Sequence, residues 1–178
     1  MDLLIRLALG LALMALPGAC LLAQTASEYE VKAAFLYRFA SFVEWPPGSA
    51  HGPVCIGVAG QDPFGGALDE VVKGKSINGR AFVVKRFQTG QEPAGCHIVF
   101  ISSSEKKKLR SILDRLHGEA VLTVGDMPGF CENGGVVNLE LADDRVSLEI
   151  NLDAAERARL RLSSKLLSLA KITRVPRQ

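Results

Sequence analysis

Four cysteines and three histidines are the side chains with the most chemistry to offer, and their spacing limits what that chemistry is. Cys20 falls in an apolar N-terminal stretch, and Cys55, Cys96 and Cys131 follow it. No two stand at the short intervals that grip a metal, and His51, His97 and His117 are scattered singly, so the pattern offers no zinc site. Asp62, Glu105 and Asp126 could converge on a cation, but nothing in their spacing demands it. Ser102, Ser103 and Ser104 precede Glu105, which stands at capping-box distance from Ser102, so they read as helix caps before nucleophiles. His97 sits inside an apolar run, the setting of a satisfied core histidine. No glycine elbow, triad order or metal-binding doublet occurs. The chain reads as a binding protein without a cofactor or metal, and not as an enzyme.

Thiol chemistry is the exception. Cys55 and Cys96 each stand at or beside the start of a short apolar run, CIGVA and CHIVFI. If those runs are neighbouring parallel strands, both thiols lie at one end of a sheet. Strands about 4.8 Å apart are within reach of a disulfide; two separate buried thiols are the alternative. Cys131 lies in GFCENGG, a glycine-rich loop expected at the surface. An unpaired thiol there would be a redox candidate, with a partly buried, inert thiol as the other reading.

Three further loops follow the carboxyl ends of predicted strands: GQDPFG from Gly60, SSSE from Ser102 and GDMPGF from Gly125. Ligands gather at that edge of an open α/β sheet, and helix starts favour anions. Asp62, Phe64, Ser103 and Asp126 are the candidate contacts for a small ligand. Against this, GQDPFGG lacks the lysine of a phosphate loop, and Asp62 can simply cap the next helix.

The elements that would carry these residues are legible from periodicity. Residues 28–47, EYEVKAAFLYRFASFVEWPP, form an amphipathic helix with Val31, Phe35, Phe39 and Phe42 at helical spacing. Ala34, Leu36, Tyr37 and Val43 widen that face, and Pro46-Pro47 ends the helix after Trp45. Such a face either packs into its own core or leaves aromatic residues for a partner. Residues 53–59, 96–101 and 120–124 read as buried strands. Lys75 to Phe87 folds at Asn78-Gly79, a hairpin signal. A helix runs from the Ser102 cap to about His117, with Lys106, Lys107 and Lys108 on a solvated face. Residues 136–150 alternate around Asp143-Asp144 as a second hairpin. A closing helix begins near Asp153, with Ala155, Ala158, Leu162, Leu166 and Leu169 as its buried stripe, and Arg174 and Arg177 trail off. Alternating strands and helices with short links imply right-handed crossovers. The expected fold is therefore α/β, a three-layer α/β/α sandwich with a mostly parallel sheet and a C-terminal antiparallel hairpin.

Before that domain lies MDLLIRLALGLALMALPGACLLAQTA, with an early positive charge at Arg6 and an apolar run from Leu7 to Leu16. This is the pattern of a secretory signal peptide over residues 1–23, cut between 19 and 26. Leu16 to Cys20 also resembles a degraded lipoprotein signal, which leaves acylation of Cys20 as an alternative. Residues 24–174 then make one domain outside the cytoplasm. A net charge of +2, without aromatics interleaved among basic residues, excludes a nucleic-acid partner.

The fragments EYEVKAAFLYRFASFVEWP, CIGVAGQDPFG, INGR, CHIVFISSSE, VLTVGDMPGF, GGVVNLEL, RVSLEIN and RARLRLSSKLLSLA, in this order, resemble the YfiR family. The resemblance implies a periplasmic regulator that docks on the sensor domain of an inner-membrane diguanylate cyclase, or on another membrane sensor protein. It implies that cyclic di-GMP output and biofilm formation rise when that restraint is lost. It also implies a similar sandwich fold and a tendency to form homodimers. By position, Cys55 and Cys96 match the family's commonly paired cysteines. Cys131 matches one half of a second bridge whose other half, seven residues on, is Asn138 here. For a protein partner the candidate contacts are Phe39, Phe42, Trp45, Leu166 and Leu169; the alternative function is a periplasmic small-ligand sensor module.

Overall fold

Runs of branched apolar side chains without polar interruption bury both faces of a strand, and three such runs form the middle of the sheet. The computed structural model describes the backbone of residues 18–49, 52–142 and 145–175, and side chains from residue 28 onward. The expected leader falls mostly in residues 1–17; these, and the side chain of Cys20, lie outside the described residues. In chain order come α1 (Gly18–Phe42), β1 (Val43–Glu44), β2 (Val54–Ala59), α2 (Ala67–Val72), β3 (Ser76–Ile77), β4 (Arg80–Phe87) and β5 (Ile98–Ile101). A 3₁₀ helix (Ser103–Lys108) leads into α3 (Leu109–Arg115), followed by β6 (Leu122–Gly125), β7 (Val137–Ala142) and β8 (Arg145–Asn151). The chain closes with α4 (Leu152–Arg157), β9 (Arg161–Leu162), α5 (Ser164–Leu167) and β10 (Ala170–Thr173).

Eight strands form one sheet in the order β10-β8-β7-β6-β5-β2-β4-β3. Strands β4, β2, β5, β6 and β7 run parallel. The hairpin β7–β8 is antiparallel, with Ala142 opposite Arg145; its turn residues, Asp143 and Asp144, lie outside the described residues. Asn78 and Gly79 carry positive φ of 50° and 75°, as a tight hairpin turn requires, and join β3 to β4. Helices cover both faces, giving the three-layer α/β sandwich. Ala33, Leu36 and Phe39 of α1 join Leu68 of α2 over Ile56, Ile98, Phe100 and Leu122. Leu109, Ile112 and Leu116 cover the other face over Val99 and Ile101. Each fully buried Leu, Ile or Phe here contributes about 1.5–3 kcal/mol.

Three expectations are corrected. Helix α1 stops at Phe42, before Trp45, because Val43 and Glu44 pair antiparallel with Leu162 and Arg161 in a separate two-stranded ribbon. The single closing helix does not form. Arg159 takes φ of 56° and ends α4, and the Ser163 hydroxyl, accepting from Leu166 N–H, starts α5 afresh. The chain then runs out as β10, parallel to β8 at the sheet edge, and Arg174 is held by Asp153 at 2.9 Å. Third, Ser102 does cap the next turn, yet its own N–H goes to Ala59 O. Glu105 therefore completes no capping box; it is buried and accepts from the Thr89 hydroxyl.

Candidate functional site

The two strand-start thiols meet. Strands β2 and β5 are parallel neighbours, and Cys55 and Cys96 form a disulfide with Cα atoms 4.6 Å apart. Gly57 keeps the space open, since a Cβ there would stand 3.2 Å from Cys96 Sγ and 3.0 Å from the Phe87 ring. Cys131 behaves otherwise than expected. It is fully buried, not exposed, because the glycine-rich loop folds around Phe130. A Cβ at Gly125 or Gly135 would fall 2.3 or 2.1 Å from that ring, so both glycines are required for its seat. Burial, with the negative charges of Glu149 and Glu132 behind it, pushes the Cys131 thiol up to about 12. A buried, protonated thiol is a poor nucleophile, so Cys131 is not an accessible redox group.

Asn138 fastens the same loop by hydrogen bonds. Its Oδ1 accepts from Met127 N–H at 3.2 Å and its Nδ2 donates to Met127 O at 3.0 Å. Asn151 adds a bond from Nδ2 to Cys131 O at 2.8 Å while Oδ1 caps α4.

At the carboxyl edge of the sheet the four candidate ligand contacts separate. Asp62 and Ser103 share the wall of a cavity of about 280 Å³. Both Asp62 oxygens are engaged, Oδ1 by Phe64 N–H at 2.7 Å and Oδ2 by Arg86 Nε at 2.6 Å. Arg86 also binds Asp69 and Gly65 O, and that pairing raises its own pKa and lowers that of Asp69. Phe64 is almost entirely core, edge-on to Phe100 at 4.8 Å, and touches a different cavity of about 710 Å³ between α1 and α2. Asp126 lines neither. Its Oδ2 accepts from Tyr29 OH at 2.9 Å and Lys32 Nζ at 3.0 Å, and Lys32 also reaches Glu28 at 2.5 Å. Burial first, then the Asp126 charge, raises the Tyr29 phenol pKa. This cluster ties α1 to the loop after β6, while Asp126 Oδ1 is buried without a hydrogen-bond partner among the described residues. Lys32, Arg86 and Asn138 organise these loops, and only Asn138 carried a sequence signal.

The two candidate stretches of partner surface come together. The β1–β9 ribbon and the bond from Ser163 N–H to Phe42 O set the end of α1 against α5, with Lys165 over the Phe42 ring. Phe39 and Leu166 point into the core and present no surface to a partner, a second correction at this site. Phe42 is half-buried and Leu169 is 63% exposed. Trp45 is partly buried and edge-on to His97, with ring centroids 5.8 Å apart. Ile172 on β10, the edge strand of the sheet, is 42% exposed.

Residues 29–171, spanning the sheet from α1 to β10, match the sequence model of the YfiR/HmsC-like family. The chain belongs to that family. YfiR/HmsC-like proteins are periplasmic regulators of cyclic di-GMP signalling, a regulatory and non-catalytic family. The Cys55–Cys96 disulfide fits an oxidising compartment. Among solved structures the chain is similar to the ABC domain from Streptococcus pneumonia in complex with L-Trp, at 9% identity and TM-score 0.55, covering 81% of this chain and 60% of that one. It is likewise similar to a conserved domain protein from Vibrio cholerae O1 biovar El Tor, at 11% identity and TM-score 0.56, covering 82% and 60%. The chain thus spans about 60% of the length of each, and the likeness is one of fold.

Proposed function

We propose that the chain restrains the periplasmic sensor domain of an inner-membrane diguanylate cyclase by binding it, without catalysing a reaction. The observation that carries this reading is the family match over residues 29–171. The apolar surface where the end of α1 meets the C-terminal segment supports it, because exposed apolar patches mark contact sites. Phe42 and Leu169 are its central contacts, with Trp45 at the border. Interfaces of this kind draw most of their energy from a few large side chains. Periplasmic cross-linking of tagged protein, with the captured membrane protein identified, tests the proposal. A Leu169→Asp variant keeps its fold, since surface changes shift stability by about 0.5 kcal/mol or less, and loses the cyclase. Undiminished capture of the cyclase by that variant places the contact elsewhere; capture of no membrane sensor by the wild type sinks the proposal.

A ligand-sensing role at the carboxyl edge is the second reading, favoured by the cavity of about 710 Å³ lined by Tyr29, Phe64 and Val71 with Glu30 and Glu70. A ligand that binds only the folded state must raise the melting temperature. Screening periplasmic metabolites for such a rise decides this second role.

A further inference from the structure

At the opposite, amino-terminal edge of the sheet, three residues far apart in sequence surround one cavity of about 250 Å³. They are Trp45, Arg80 at the start of β4, and His97 just before β5. The disulfide at Cys96 fixes the strand start beside them. The rest of the lining is Ala40, Val43, Val54 and Ile77, with the polar Glu44 and Asn78.

Around His97 hydrogen-bond donors outnumber acceptors. His97 Nδ1 accepts from Cys55 N–H at 3.1 Å. A neutral imidazole has one lone-pair nitrogen, so Nδ1 and Nε2 cannot both accept. Burial first, then the Arg80 charge, lowers the His97 pKa and keeps the ring neutral, while a bond to the Ser49 backbone opposes them. Arg80 Nη2, which can only donate, lies 2.8 Å from that same Nε2. Arg80 otherwise reaches only the carbonyls of Gly52 and Pro53, and among the described residues no carboxylate pairs with it. The indole Nε1–H of Trp45 is shielded from water and has no acceptor among the described residues. Leaving a buried donor unpaired costs about 1–3 kcal/mol. Glu44 touches the cavity, but its side chain is 76% exposed and lies 3.9 Å from Arg161. A cation would meet the guanidinium, and a bare inorganic anion would leave the apolar wall unmatched.

We propose that this cavity binds a small organic carboxylate, its charged end held by Arg80 and its short hydrocarbon chain packed on Val43, Val54 and Ile77. Arg is suited to the task because its hydrogen bond to a carboxylate is charge-assisted and about twice as strong as a neutral one. The volume lies just below the range of drug-sized sites, so the ligand is smaller than a drug-sized molecule.

The chain has one tryptophan, so the indole N–H of Trp45 gives a single proton–nitrogen resonance that reports on this cavity alone. Titration with butyrate is expected to move that resonance saturably, and butyramide, the uncharged counterpart, is expected not to. Arg80→Gln should weaken butyrate binding about tenfold or more, the effect of losing a charged hydrogen bond. Ile77→Asp, followed by calorimetry, sets a like charge on the partly exposed apolar wall and should weaken binding too; it carries the test if Arg80→Gln does not fold. The proposal is overturned by an unmoved resonance well above millimolar butyrate, by an equal response to butyramide or inorganic phosphate, or by unchanged affinity in either folded variant.

Discussion

Replacing Cys55 and Cys96 together by alanine removes the one covalent cross-link between β2 and β5. The two cysteines are 41 residues apart in sequence. In the chain-entropy treatment a closed loop of that size raises the free energy of the unfolded state by about 4 kcal/mol at 25 °C. Both sulfurs are buried, so the alanine pair also loses packing, on the order of 1 kcal/mol per side chain. Comparing oxidised with reduced wild type isolates the first effect, and comparing reduced wild type with the alanine pair isolates the second. Urea unfolding followed by Trp45 fluorescence and far-ultraviolet circular dichroism measures both. With a denaturant slope of about 2 kcal/mol per molar, the cross-link alone should shift the midpoint by about 2 M. A difference between oxidised and reduced protein below about 1 kcal/mol would refute the view that this bridge stabilises the domain by restricting its unfolded chain.

Further expectations follow from single residues. Native Cys131, tracked by mass spectrometry of its peptide, should react with iodoacetamide at pH 8 about a thousandfold more slowly than an ordinary thiol, given a pKa pushed up to about 12; brisk labelling of folded protein would contradict its burial. Gly125→Ala forces a Cβ against the Phe130 ring and should cost about 1–3 kcal/mol, read from the urea midpoint. His97 has a folded pKa below its unfolded value of about 6.5. The unfolded chain therefore binds the extra proton first, and the stability that neutral His97 contributes is complete above about pH 6.5 and lost as pH falls through the folded value. His97→Gln should flatten the stability profile just below about pH 6.5; an unchanged slope there removes His97 from the explanation.

The central sheet was legible because its strands are short, branched and uninterrupted, and because Asn78-Gly79 has a local conformational reason to turn. The C-terminal region was not. Ala155, Ala158, Leu162, Leu166 and Leu169 repeat at helical intervals, so periodicity alone predicts one helix. What breaks it is tertiary: Leu162 pairs with Val43, and Ala170 onward gains backbone partners from β8. Cys131 was misplaced for a related reason. Glycine and polar neighbours signal a surface loop, but here two of the glycines are small so that Phe130 can fill the space above them. At the candidate sites, sequence located Asp62 and Ser103 on adjoining loops, yet could not foresee that Arg86 and the Phe64 N–H would occupy Asp62. Lys32 gave no warning of burial, since its partner Asp126 is distant in sequence.

Intracellular cyclic di-GMP, measured in the native host with and without this gene, tests restraint of a cyclase most directly. Deletion should raise the nucleotide, and the wild-type gene, but not the Leu169→Asp form, should return it to its starting level. An unchanged level on deletion, or full complementation by the variant at equal abundance, would contradict regulation through this surface.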